Sequence, residues 1–67
     1  MRFLNIINQK ENKEIYIKVS SIVALEKIIR YDKEQTIIYT ISGAQFLSDD
    51  SCEEIANKLK EEREYIL

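Results

Sequence analysis

The segment Thr36–Phe46, TIIYTISGAQF, contains the only glycine of a 67-residue chain that has no proline and no histidine. Apolar residues alternate along the chain on both sides of Gly43. Because glycine adopts positive φ without steric cost, Ser42 and Gly43 are predicted to occupy the two central positions of a tight turn. The segment therefore predicts a β-hairpin, with strands at about residues 35–41 and 44–48.

Two segments near the start of the chain predict an earlier hairpin. A short apolar run covers residues 3–8, and isoleucines and a valine alternate with other residues at about 14–19. The polar stretch QKENKE separates them and has the composition of a turn. Alternation with a period of two is typical of a half-buried strand, so both segments are predicted to be strands.

The segment between the two hairpins, residues 22–31, fits more than one structure. Ile22, Leu25 and Ile29 have helical spacing, and Ser21 could cap such a helix. The β-branched content of the segment favours a strand instead. We predict a strand and keep the helix as the alternative.

The end of the chain predicts one helix, at about residues 52–65. Ser51 followed three positions later by Glu54 is the pattern of a capping box, which marks a helix start. An apolar stripe with helical spacing follows and consists of Cys52, Ile55, Ala56, Leu59 and Ile66. The fold class predicted for this single domain, residues 1–67, is therefore α+β: an antiparallel β-meander of four to five strands followed by one C-terminal helix.

Composition limits the function classes. The net charge of −2, from ten basic and twelve acidic residues, provides no general attraction for phosphate backbones. No apolar run approaches the roughly 20 residues that span a bilayer. The first residues lack the apolar core and cleavage site of a signal peptide, so a cytoplasmic location is expected.

The inventory of reactive side chains is small. Without histidine, and with Cys52 as the single cysteine, the chain lacks the residues of classical triads, zinc sites and intrachain disulfides. The acidic cluster SDDSCEEI around Cys52 is explained by helix capping and by the helix dipole. We therefore predict no catalytic residue, no metal site and no cofactor, and we expect that the chain is not an enzyme.

Counting the faces of the predicted sheet suggests an interface. One helix covers one face, whereas the strands have apolar residues on both faces. Exposed apolar patches of several hundred Å² are unusual on monomers, so a second copy of the chain, and another protein, are the expected partners. The candidate interface residues are Ile22, Ile28, Ile38, Phe46, Tyr65 and Ile66.

Nucleic-acid binding is the alternative. Tyrosines beside basic residues on a sheet can stack on bases and contact phosphates. The candidate residues for such a surface are Tyr16, Lys18, Lys27 and Arg30. Tyrosine is also an ordinary strand residue, and the net charge is negative, so nucleic acid is the less favoured partner.

Two families share a pattern with this chain, which consists of Ile22, Leu25-Glu26, Thr36-Ile37-Ile38, Gly43, Asp50-Ser51 and Glu53-Glu54-Ile55. The first resemblance, over roughly residues 3 to 60, is to the small FlbD/SwrD-type flagellar and swarming proteins, and it implies a non-enzymatic accessory or regulatory protein. The same strands also resemble the first two-thirds of a LytTR DNA-binding domain, but no DNA-contacting residue can be assigned by position.

Overall fold

The structure is a computed structural model and describes residues 2–63. All strand pairs are antiparallel, which confirms the α+β class, and the ambiguous segment forms a strand. The end of the predicted helix, beyond residue 63, lies outside the described residues. The elements are β1 (Phe3–Asn8), β2 (Lys13–Lys18), a 3₁₀ turn (Val19–Ser21), β3 (Ile22–Arg30), β4 (Lys33–Thr40), β5 (Gln45–Ser48) and α1 (Cys52–Arg63).

The strands form two sheets rather than one continuous meander. β1 pairs with β2, and the second sheet has the order β3-β4-β5. The 3₁₀ turn separates the sheets, and the Ser21 hydroxyl stabilises it by donating to the Lys18 carbonyl at 2.7 Å. As a result, the first hairpin packs against the second sheet instead of extending it.

The core lies between the first hairpin, the three-stranded sheet and α1. Its buried residues come from β1, β2, β4 and α1, and they are Leu4, Ile6, Ile17, Ile38 and Ile55. Leu25 and Phe46 of the three-stranded sheet are partly buried and pack against this cluster. The first hairpin and α1 therefore cover the same face of the three-stranded sheet, which we call the core face.

Asp49, which directly follows β5, connects the three-stranded sheet to the first hairpin through hydrogen bonds. Its N–H donates to the Ile7 carbonyl at 3.2 Å. Its carboxylate accepts the Gln9 N–H at 2.8 Å and the Gln35 side-chain amide at 3.0 Å. These hydrogen bonds, chiefly the one from Gln9, lower the pKa of Asp49. Asp49 thus ties β1 and its turn to the end of β5.

The β3–β4 turn consists of Tyr31 and Asp32, with φ of 53° and 63°. Arg30 and Lys33 pair directly across it. Positive φ at both central residues is the signature of a type I′ turn, whose twist matches that of the strands. The sequence predicts a break between strands at residues 22–31 and 35–41 but not this type of turn, because neither Tyr31 nor Asp32 is glycine.

The Gly43 turn differs by one position from the sequence prediction. The Gly43 N–H donates to the Thr40 carbonyl at 2.9 Å, and the Thr40 N–H donates to the Ala44 carbonyl at 3.0 Å. The central residues of the turn are therefore Ile41 and Ser42, and Gly43 is the third loop residue, with φ of 89°. Such a three-residue loop needs positive φ at its last position, so glycine is required there rather than at a central position.

Gly43→Val is expected to lower the free energy of unfolding by about 1–3 kcal/mol. A Cβ atom at Gly43 would meet no atom within 4 Å, so the cost comes from forcing a β-branched residue into positive φ. Denaturant unfolding measures the change. Gly43→Asn is the control, because asparagine tolerates this conformation better. A valine variant as stable as wild type would contradict the positive φ.

Helix α1 begins as the sequence predicts and has an additional cap. The Glu54 N–H donates to the Ser51 hydroxyl at 3.1 Å, and this hydroxyl donates to the Glu54 carboxylate at 3.2 Å. The Cys52 N–H donates to Glu34 of β4 at 3.0 Å, a cap that comes from another element. These bonds fix the first turn of α1 against β4. Within residues 2–63, no helix is long and apolar enough to cross a membrane.

Candidate interaction surface

The face of the three-stranded sheet opposite the core face is an apolar surface that we call the outer face. Strand register places Ile37 opposite Leu47 on β5 and opposite Glu26 on β3, so these side chains share one face. Its apolar members are Ala24, Ile28, Ile37, Tyr39 and Leu47. All of them except Ala24 are half-buried. The elements that complete the core lie on the other side of the sheet.

A polar contact lies across the outer face. The Tyr39 hydroxyl donates to the Glu26 carboxylate. This hydrogen bond raises the pKa of Tyr39, because removing the phenolic proton would place two negative charges side by side. Both groups are at the surface, so the contact orients Glu26 without removing it from water.

The structure redistributes the candidate interface residues. Ile28 lies on the outer face, opposite Gln35. Ile38 is 0% exposed and belongs to the core, so its side chain does not reach a surface. Ile22 and Phe46 are partly buried against the same core. Tyr65 and Ile66 lie outside the described residues.

The correction at Ile38 follows from the pleat of β4. Neighbouring residues in a strand point to opposite faces, so Ile37 and Ile38 cannot share a surface. The sequence shows apolar residues on both faces of β4 but does not specify which face the helix covers. Because Ile38 packs with Ile55 of α1, Ile37 is the residue that remains on the outer face.

The free edge of β3 is a second feature of this surface. In the described sheet, β3 pairs only with β4. The type I′ turn makes Arg30 and Lys33 a hydrogen-bonded pair, and hydrogen-bonded positions then alternate along the strand. Leu25, Lys27 and Ile29 therefore direct their backbone N–H and C=O groups away from β4. An edge of this kind can pair with another strand.

An apolar groove of about 410 Å³ lies beside the first half of β3. Helix α1 forms one wall through Ala56 and Leu59, with Lys60 at the same site. The apolar residues on the other side are Val19, Ile22, Val23, Ala24 and Leu25. The sequence does not predict this groove, because the groove depends on how α1 is placed relative to β3.

Three of the seven described large apolar side chains that are exposed lie on β3 and its turn, and the others lie on the first hairpin and in the Gly43 turn. Val23 is 61% exposed, Ile29 is 67% exposed and Tyr31 is 91% exposed. Single exposed apolar residues are ordinary, but a free strand edge with several of them is typical of an association site. The β-bulge between Ile22 and Ala24 explains why Val23 points outward.

The candidate nucleic-acid residues are distributed over three surfaces. Tyr16 and Lys18 are exposed on β2, in the first hairpin. The Lys27 side chain lies on the core-face side of β3 and is 3.8 Å from the Glu34 carboxylate. Arg30 lines a cavity of about 350 Å³ that also contains Lys10, Lys33 and Asp49. The four residues therefore do not form one surface.

The described residues include no group of three or more histidine, cysteine, aspartate or glutamate side chains that could hold a metal ion. Cys52 is partly buried at the start of α1. Its N–H is bound to Glu34, so this backbone group is engaged in capping the helix.

Comparison with known proteins gives no match to a family model, to a curated protein or to a solved structure. The resemblances to the FlbD/SwrD-type proteins and to LytTR domains stay predictions.

Proposed function

We propose that this chain is a small, non-enzymatic interaction and regulatory module of the cytoplasm, which binds a second copy of itself and another protein. The observation that supports this proposal is the outer face, where Ile28, Ile37 and Leu47 lie on the side of the sheet opposite the core. The regulatory part rests on the resemblance to the FlbD/SwrD-type proteins. The absence of histidine from the sequence supports the non-enzymatic part.

Energetic considerations favour self-association. A chain of this size buries only about 60% of its unfolded surface, so its stability is small. Removing an isoleucine or leucine side chain from water contributes roughly 1.5–3 kcal/mol. The outer-face side chains Ile28, Ile37, Tyr39 and Leu47 are already half-buried, so completing their burial adds at most about a third of that amount each, or up to about 2–4 kcal/mol together, a sizeable part of the stability of the domain. A second copy can cover this surface at Ile28, and another protein can cover the remainder around Ile37 and Leu47.

Light scattering is expected to give the mass of a dimer for the wild type at micromolar concentration, and the mass of one chain for Ile28→Glu. Ile28 belongs to the outer face and not to the core, so the variant keeps its fold. A carboxylate placed in a self-contact meets its own copy across the two-fold axis, and like charges repel each other. Circular dichroism confirms that the variant is folded.

Ile41→Glu is the matched control for this experiment. Ile41 is 70% exposed in the Gly43 turn, away from the outer face, so the same substitution there should leave the dimer intact. A wild-type mass of one chain that does not change with concentration would contradict self-association. A dimeric Ile28→Glu variant would place the contact elsewhere.

Nucleic-acid binding is the alternative function, and a titration of labelled DNA and RNA at increasing salt tests it. A protein that neutralises phosphates loses affinity steeply as salt rises. The negative net charge and the separation of Tyr16 and Lys18 from Arg30 disfavour this function. A salt-dependent shift that Arg30→Gln weakens would favour it over self-association.

A further inference from the structure

We propose that two copies of this chain pair through the free edges of β3, antiparallel and around a two-fold axis at Ile28. The three-stranded sheets of both copies would then form one continuous sheet. This inference rests on the proposed self-association and specifies the strand, the register and the side chains that make the contact.

The free edge of β3 has the backbone groups that strand pairing requires. The outward-directed N–H and C=O groups of Lys27 and Ile29 are the donors and acceptors of an antiparallel ladder. With the axis at Ile28, Lys27 of each copy is opposite Ile29 of the other, and these pairs exchange about four backbone hydrogen bonds. The other edge differs, because Asp49 ties the end of β5 to β1 through the Ile7 carbonyl.

The charged side chains of β3 are complementary between the two copies in this register. An axis at Ile28 places Glu26 of each copy opposite Arg30 of the other, on the outer face. The contact is symmetric, so this ion pair forms twice, once on each side of an apolar pair of Ile28 residues. Cross-strand pairs of opposite charge stabilise a sheet. The hydrogen bond from Tyr39 already holds the Glu26 carboxylate on this face.

Neighbouring registers lack this complementarity. Only Leu25, Lys27 and Ile29 direct their backbone groups outward, so the other possible registers differ from this one by steps of two residues. Sliding the strands by two residues in one direction places Lys27 opposite Lys27 of the other copy. Sliding them in the other direction places Arg30 opposite Ile28 and leaves Glu26 beyond the end of the other strand, at its turn, so neither ion pair forms. Like charges directly opposite each other destabilise the pairing, so the charges of this strand select the axis at Ile28.

The position of the exposed Tyr31 ring also supports this register. In this register Tyr31, the turn residue that directly follows β3, comes close to Leu25 of the other copy, and Leu25 lines the groove of about 410 Å³ between β3 and α1. Tyr31 is 91% exposed in the single chain. Among the large apolar side chains whose exposure is described, it is the most exposed. Pairing thus brings this exposed ring to the apolar groove of the other copy.

Disulfide cross-linking tests the register directly. In the Cys52→Ser background, Ile28→Cys places two cysteines opposite each other at a non-hydrogen-bonded pair, where the Cα atoms are about 4.5 Å apart and a disulfide fits. Under mild oxidation, non-reducing electrophoresis should show a linked dimer that forms at least about tenfold faster than in either control variant, because pairing raises the effective concentration of the thiols.

The controls are Ile29→Cys and Lys27→Cys in the same background. Both positions flank the axis, so the Cα atom of each cysteine is about 8 Å from the Cα atom of the same residue in the other copy. Ile29 is 67% exposed, and random collisions would link it at least as fast as Ile28. Equal linking of Ile28→Cys and Ile29→Cys, or fastest linking of Lys27→Cys, would overturn the register.

Charge reversal provides an independent measurement. Glu26→Arg and Arg30→Glu should each weaken the dimer by about tenfold or more, and the double variant should recover the wild-type dissociation constant to within about threefold. A light-scattering dimer that neither links through Ile28→Cys nor responds to charge reversal would overturn this inference alone. A wild-type monomer would overturn the proposed self-association as well.

Discussion

Ile38→Glu is expected to unfold the chain. Ile38 is 0% exposed and packs in the core with Leu4 and Ile55. Burial would raise the pKa of the new carboxyl by about 3–5 units, so in the folded chain it would be largely protonated at pH 7, at a cost of about 3–4 kcal/mol relative to the ionised carboxylate of the unfolded chain. The lost isoleucine burial adds roughly 1.5–3 kcal/mol. A domain of this length has roughly 3–10 kcal/mol of stability in total. Far-ultraviolet circular dichroism should show the spectrum of an unfolded chain.

Ile37→Glu is the matched control, because it is the same substitution on the neighbouring residue of β4. Ile37 points to the outer face, so the variant should fold. If the copies pair through β3, Ile37→Glu should also remain a dimer, whereas a dimer made by stacking two outer faces should dissociate. A folded Ile38→Glu variant with the wild-type spectrum would mean that the core face has been assigned to the wrong side of β4.

The sequence was sufficient for the elements because each one has a local signal. Alternating apolar residues predicted the strands, and the Ser51 and Glu54 pattern predicted the helix start, which the Glu54 hydrogen bond to Ser51 confirms. The positive φ of Gly43 was also predictable, since it is the only glycine in the chain. The exact turn residues were not, because two-residue and three-residue loops both use glycine at positive φ.

The arrangement of the elements was less predictable, because it depends on contacts between distant residues. Nothing local in Val19–Ser21 distinguishes a turn within one sheet from a break between two sheets. The break allows the first hairpin to cover the core face together with α1. That placement buries Ile38 and leaves Ile37 outside, a choice between two neighbouring isoleucines that the β4 sequence does not specify.

The candidate interaction site was predictable only in part. The sequence indicated an uncovered apolar face and included Ile28, which lies on it. It did not indicate the free edge of β3, since strand order cannot be read from apolar alternation. The edge and the outer face have complementary uses in the proposed assembly: pairing through β3 engages Ile28, while Ile37 and Leu47 remain available for a different protein.

Ile55→Ala is expected to lower the free energy of unfolding by about 2–5 kcal/mol. Among the residues of α1 whose burial is described, only Ile55 belongs to the fully buried core. Its exposed fraction is 0%. Alanine removes most of its contacts with Ile38 and leaves a cavity, while helix propensity improves slightly. For a domain of this size, the thermal midpoint should fall by at least about 10 °C. Thermal unfolding followed by circular dichroism measures the change.

Ile41→Ala is the control, because it is the same substitution at a side chain that is 70% exposed. Its effect should stay within about 0.5 kcal/mol, as is usual for surface positions. Both measurements should be made at several protein concentrations, since dimer formation makes the thermal midpoint depend on concentration. Equal effects of the two substitutions would contradict the packing of α1 on the core face. A large effect of Ile55→Ala alone would confirm that packing, which also forms one wall of the groove beside β3.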